Sequence, residues 1–164
     1  MLSVLPSIFV LGLAAFVAML LVANRCQRPE NVAERHAAAR WLLVALLIQA
    51  VHFTEEATTG FHERLPALLN LPGMSFYLFV GFNLIWLGIW AASVPGLRSA
   101  RPAAFFAAWF LAIAGMINGI AHPLLAIAAG GYFPGLVTSS FIGIAGFLLW
   151  RRLREATQPR EFGG

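Results

Sequence analysis

The sequence predicts an all-α fold, an integral membrane bundle of five transmembrane helices with the N-terminus outside and the C-terminus cytoplasmic. Three observations predict it. The chain is 60% hydrophobic and only 11% charged, whereas a soluble domain carries about 25% charged residues. Its apolar residues fall into five runs, most of them near the ~20 residues that a helix needs to cross a bilayer. Its charge is one-sided, because ten of the eleven basic residues, all Arg, fall in the first and third connections and the C-terminal tail. Only Arg64 lies on the other side, and an excess of basic residues marks the cytoplasmic face. The net charge of +4 is thus explained by topology and implies no nucleic-acid partner. The single Cys26 excludes an internal disulfide and a cysteine-based zinc site.

The first predicted span covers residues 5–23. Basic residues follow it, in Asn24-Arg25-Cys26-Gln27-Arg28, and none precedes it. A cleavable signal peptide has the opposite order, so this helix is expected to remain in the protein. Pro29 suits the first turn of the next helix. That helix is expected to pass through Ala33-Glu34-Arg35-His36 as a solvated stub and to cross the membrane over residues 41–58. Gly60 should break it. The connection from Phe61 to Met74 has room for a short interfacial helix near Leu65–Asn70. Ser75 is a candidate N-cap for the third span, 76–94, which Pro95-Gly96 should end. The fourth span is expected at 103–124, with a possible extension past Pro123 to Ala128. The turn-rich Gly130-Gly131-Tyr132-Phe133-Pro134-Gly135 leads to a short fifth span, 136–150. One domain, 1–154, is expected, with a disordered tail at 155–164.

The stretch that calls for a function is Val51-His52-Phe53-Thr54-Glu55-Glu56. His52, Glu55 and Glu56 stand at i, i+3 and i+4, on roughly one side of a helix. An ionisable residue at mid-membrane costs roughly 2.5–3.5 kcal/mol on insertion scales, less near the interface. The predicted topology puts these three in the outer third of the second span. It puts Asn118 and His122, again at i and i+4, in the outer third of the fourth. Asn83 lies two turns below the outer end of the third, and Tyr132 and Thr138 lie where the fifth begins. Four spans therefore bring polar residues to one layer, and Gln49 is the main exception.

Three chemistries fit that layer. In the first, His52, Glu55, Glu56 and His122 ligate a divalent metal, with zinc or non-haem iron suited to two His and one carboxylate with open positions. Asn118, Asn83, Tyr132 and Thr138 would bind substrate or orient ligands. In the second, Glu55 and Glu56 act with His52 as metal-free acid–base catalysts, as in an isomerase or cyclase; Tyr132 belongs with the catalytic candidates. In the third, the polar residues hydrogen-bond between helices and only hold the bundle. Binding or transport of a cation or small solute is a further alternative. The expected partners are membrane lipid, a lipophilic small-molecule substrate and a second copy of the chain. His62, beside Glu63 and Arg64 in a loop, reads as interfacial.

His52-Phe53-Thr54-Glu55-Glu56 fits the signature of the HXXEE domain family of small bacterial membrane proteins. Tyr132-Phe133-Pro134-Gly135 resembles that family's second element, Tyr-any-Pro-Gly, and Asn118-Gly119-Ile120-Ala121-His122 resembles a further Asn-any-any-any-His element. The resemblance runs from about Trp41 to Trp150. It implies a bacterial inner-membrane protein in which His52, Glu55, Glu56, Asn118, His122, Tyr132, Pro134 and Gly135 matter. It implies no reaction. The function expected from the residues is a membrane-embedded, metal-dependent enzyme acting on a lipophilic or amphipathic small molecule in an outer pocket.

Overall fold

A computed structural model describes residues 5–27 and 32–159. The fold is helical: α1 (Leu5–Asn24), α2 (Val32–Thr58), α3 (Phe61–Leu68), α4 (Phe76–Arg98), α5 (Pro102–Ala128) and α6 (Leu136–Glu155). Two three-residue strands, β1 (Arg25–Gln27) and β2 (Thr157–Pro159), pair antiparallel. Helices α2, α4, α5 and α6 are long and apolar enough to cross a membrane, and α1 adds a shorter apolar stretch, Phe9–Asn24.

The four long helices close into a ring, in which α2 packs on α6, α6 on α5, α5 on α4 and α4 on α2. Helix α1 packs on α5. From Ala104 to Gly115 every residue of α5 except Phe106 is buried, as expected for a helix that is apolar all round. Trp109 is fully buried and meets the edge of Trp150 at 4.7 Å. Trp90 is also internal and donates its indole N–H to the Ala107 carbonyl at 3.0 Å, pinning α4 to α5.

The seam between α5 and α6 is made of small residues. A Cβ on Gly119 would lie 2.8 Å from the Gly143 Cα, and one on Gly146 would lie 2.7 Å from the Ala112 carbonyl oxygen. Gly115 and Gly119 are four apart on one face, the spacing that lets two membrane helices approach backbone to backbone. Sequence reading passes over this pair. Its effect is to bring the start of α6 close to the end of α5, where His122 lies.

Several boundaries differ from expectation. In the N-terminal part of α2, Ala33 and His36 are exposed, as expected of a stub, but Arg35 is buried. Pro95 lies inside α4, which runs on to Arg98. In a last turn, a missing N–H costs one hydrogen bond and does not stop the helix. Gly96 is needed for closeness rather than as a stop, since a Cβ there would lie 2.7 Å from the Ala104 Cβ. Ser75 stands at the N-cap of α4 as expected, but it accepts the Phe79 N–H through its carbonyl and makes no side-chain cap. Helix α3 begins at Phe61, immediately after Gly60 in a left-handed conformation (φ 81°), and not near Leu65. Helix α5 continues through Pro123 to Ala128. Helix α6 outlasts its apolar run by several residues, helped by an Arg152–Glu155 ion pair of 2.7 Å.

The expected tail also starts differently. Thr157–Pro159 forms β2, and Arg25 donates to the Thr157 hydroxyl at 2.8 Å and its carbonyl at 2.9 Å. The ends of α1 and α6 therefore lie together. Residues 160–164, with Arg28 and Pro29, lie outside the described residues.

Candidate metal centre

The ring gathers a cluster of polar side chains at one end, between the last turns of α2, the last turns of α5 and the first turn of α6. His52 and Glu56 are one turn apart on α2, and His122 comes from α5. Glu56 Oε1 lies 3.5 Å from His52 Nε2 and 3.3 Å from His122 Nε2. Two imidazole nitrogens and a carboxylate oxygen thus converge, all within 4.8 Å of one another. The rings meet edge to face, centroids 4.8 Å apart. Exposure is 0% for His52, 2% for His122 and 6% for Glu56.

Hydrogen bonds on the far side of each ring decide which nitrogen carries the proton. His122 Nδ1 lies 2.6 Å from the Pro134 carbonyl oxygen. A carbonyl only accepts, so Nδ1 donates, and in the neutral ring Nε2 is left bare. His52 Nδ1 lies 2.7 Å from the Thr138 hydroxyl oxygen. That hydroxyl has one hydrogen, which it donates to Glu55 Oε2 at 2.6 Å. The Thr138 oxygen must then accept from His52 Nδ1, and the bare nitrogen is again Nε2. Both bare nitrogens face Glu56. Metal-bound histidines are held in this way, by an outer group that takes the second N–H.

Three acceptors at this spacing repel unless positive charge sits among them. A shared proton draws a charged N···O pair to about 2.7–2.9 Å. Ligands at 2.0–2.2 Å from one ion, on a tetrahedron, are roughly 3.4 Å apart. The two distances to Glu56, 3.5 and 3.3 Å, match the second figure, and the two nitrogens lie within 4.8 Å of each other. Buried His52, Glu56 and His122 can therefore hold a metal ion. Asn118 is adjacent, its Nδ2 3.4 Å from His52 Nε2.

The other expected site residues separate from this group. Glu55 turns away from it to the first turn of α6, where it receives four hydrogen bonds. Oε1 takes the Tyr132 hydroxyl at 2.8 Å and the Val137 N–H at 3.1 Å. Oε2 takes the Thr138 N–H at 2.9 Å and the Thr138 hydroxyl at 2.6 Å. A carboxylate from α2 thus caps α6, satisfying amides that have no partner within that helix. Tyr132 and Thr138 belong to this cap, and Thr138 alone also reaches a candidate ligand, His52. Tyr132 lies between the spans, and burial raises its phenol pKa above the ordinary 10.0. Asn83 donates to the Phe79 carbonyl of its own helix at 2.9 Å. His62 stacks near Phe76 and Phe79 and faces Glu63 at 3.7 Å, outside the group.

The segment 132–135 emerges as the wall of the site. Pro134 supplies the carbonyl for His122, and Phe133 is buried against Phe61 and His122. Gly135 has φ 86° and lies so close to both rings that a Cβ there would be 2.6 Å from His122 Nδ1 and 3.0 Å from His52 Cε1. Phe61, at the start of α3, closes the end over His122 with centroids 5.5 Å apart. Neither Phe61 nor Phe133 stands out in sequence, where both read as ordinary apolar residues. On the opposite side of the Glu55 cap an open groove of about 440 Å³ runs between α2 and α6, lined by Val51, Thr54, Glu55, Thr58, Tyr132, Val137 and Thr138.

Comparison with curated proteins and with solved structures finds no match to the chain. A family model described as "Protein of unknown function with HXXEE motif" matches residues 41–149. That stretch contains the three ligand candidates, the Glu55 cap and the Tyr132–Gly135 wall, and the chain belongs to the HXXEE family.

Proposed function

We propose that this protein is a membrane-embedded, metal-dependent enzyme that acts on a lipophilic or amphipathic small molecule. One observation carries the reading: two bare imidazole nitrogens converge on a buried carboxylate oxygen, each at about the separation of two tetrahedral ligands, and all three atoms lie within 4.8 Å of one another. His52, His122 and Glu56 hold the ion, and zinc or non-haem iron fits two nitrogens and one oxygen with positions left open. A bound ion of this kind supplies Lewis acidity and an activated water. Asn118, against His52, orients what enters beside it, and Phe61 and Phe133 keep bulk water out. The apolar walls of the nearby groove, with Val51 and Val137 more than half exposed, suit a substrate that arrives from the lipid.

Five crossings, with the site toward the outer face of a bacterial inner membrane, complete the proposal. Two features support it. Ten of eleven Arg fall at the connections and tail expected inside. The β1–β2 pairing also joins the ends of α1 and α6, as an even number of crossings between them requires.

The test is elemental analysis of protein purified in detergent without chelator, followed by titration with Zn²⁺ and Fe²⁺. One equivalent of metal is expected, lost in His122→Ala and Glu56→Gln. Protein with no stoichiometric metal, and no affinity for either ion, would overturn it. A metal-free acid–base enzyme is the second reading, favoured by the continuous chain Glu55–Thr138–His52 from the groove to the buried ring. It predicts turnover that survives chelation.

A further inference from the structure

We infer that Glu55, which touches neither an ion nor its ligands, is a positioning residue that sets the tautomer of His52 through the Thr138 hydroxyl. The inference deepens the metal reading, because it names what decides whether His52 can be a ligand at all.

The Thr138 hydroxyl can donate only once. It lies 2.6 Å from Glu55 Oε2 and 2.7 Å from His52 Nδ1. If the hydrogen goes to Glu55, His52 Nδ1 is the donor and Nε2 is bare. If it goes to His52, Nδ1 is bare, Nε2 carries the hydrogen and a ligand position toward Glu56 is blocked. Glu55 decides between these. Its two oxygens already face four donors, from Tyr132, Val137 and twice from Thr138, which uses its acceptor directions. It can accept from Thr138 and cannot donate to it.

A glutamine at the same place behaves differently. With its NH₂ group at the Oε2 place, its carbonyl oxygen can still accept from Tyr132 and Val137, while the NH₂ can donate to the Thr138 hydroxyl oxygen. The hydroxyl hydrogen is then free to turn to His52 Nδ1. Glu55→Gln in that orientation therefore preserves shape and the Tyr132 and Val137 half of the cap, gives up the Thr138 N–H, and inverts His52. His122 is the internal control, since its Nδ1 faces the Pro134 carbonyl, which cannot donate.

The experiment is ¹⁵N NMR of histidine-labelled protein in detergent, reading protonated and bare ring nitrogens, with Zn²⁺ affinity measured on the same samples. Wild type is expected to show protonated Nδ1 and bare Nε2 at both His52 and His122. Glu55→Gln should reverse His52, leave His122 unchanged and weaken Zn²⁺ about 10–100-fold, the usual effect of losing an outer-shell partner. Thr138→Val should weaken Zn²⁺ similarly, and Thr138→Ser should restore it. The ring-nitrogen pattern needs no metal, so it survives a failure of the metal reading. A wild-type His52 with protonated Nε2 would overturn the inference, as would a Glu55→Gln protein that melts lower but keeps both the wild-type pattern and affinity. Should Glu55→Gln not fold, the wild-type pattern and the Thr138→Val and Thr138→Ser pair decide alone.

Discussion

Replacing Gly135 with Ala tests the wall of the site by adding one methyl group. Two costs follow from the structure. The backbone at residue 135 has φ 86°, a conformation that costs an L residue roughly 1–2 kcal/mol. The added Cβ would also lie 2.6 Å from His122 Nδ1 and 3.0 Å from His52 Cε1, and neither ring has room to retreat, because both are almost fully buried. Moving His122 breaks its 2.6 Å bond to the Pro134 carbonyl, and a buried donor or acceptor left unpaired costs about 1–3 kcal/mol. The total is about 2–5 kcal/mol, read as a lower midpoint in thermal or denaturant unfolding in detergent. The second readout is metal affinity, which should fall at least tenfold as the Nε2 atoms leave their places opposite Glu56. A Gly135→Ala protein with wild-type stability and metal affinity would refute the claim that the glycine is there to admit the two rings. Wild-type affinity with lowered stability would refute the link from wall to ligand and leave only the backbone cost.

Two further outcomes are expected. Gly119→Ala puts a Cβ 2.8 Å from the Gly143 Cα and 3.4 Å from the Ser139 carbonyl oxygen; overpacking of this kind costs about 1–3 kcal/mol, measured by unfolding in detergent, and unchanged stability would mean that the α5–α6 seam is looser than these distances require. Tyr132→Phe removes one of four donors to Glu55 and should cost about 0.5–1.5 kcal/mol with metal affinity nearly unchanged. Burial raises the Tyr132 pKa, so the neutral phenol is favoured in the folded state. Its contribution is fully present below pH 10 and is lost as pH rises through the higher folded value; in a Tyr77→Phe background the phenolate absorbance should rise above pH 10, and a midpoint below 10 would contradict the upward shift.

Much of the site is legible in the sequence because costly residues stand out against apolar ones. His52 and Glu56, at i and i+4, must share a face, and a topology drawn from Arg positions alone places His122 near them. What sequence spacing does not resolve is which neighbour of an adjacent pair points inward. Glu55 and Glu56 differ by about 100° around a helix, and only the position of α6 shows that Glu55 is its cap. The roles of Pro134 and Gly135 are hidden for another reason. One acts through a backbone carbonyl and the other through an absent side chain, and neither has a residue type that announces it. Asn83 misleads because a polar side chain in a membrane helix can satisfy itself on its own backbone, as this one does on Phe79. The Gly115/Gly119 spacing is the contrary case, a signal open to reading that polar residues nearby overshadow.

The two carboxylates also explain how a membrane chain carries them side by side. Glu55 faces four donors at the N-terminal end of α6, where unpaired amides and the helix dipole favour negative charge. Its charge is met without any ion. Glu56, one residue on, has only the two histidines within ion-pair reach among the described residues, and both rings spend their Nδ1 hydrogens on Pro134 and Thr138 of the segment that Glu55 caps. The first turn of α6 and the residues before it thus do two opposite things at once. They satisfy one carboxylate completely, and by the same bonds they turn two bare nitrogens toward the other. The demand for positive charge is thereby concentrated at a single buried point between His52, Glu56 and His122, which is why that point, and not the groove beside Glu55, is where an ion could be held.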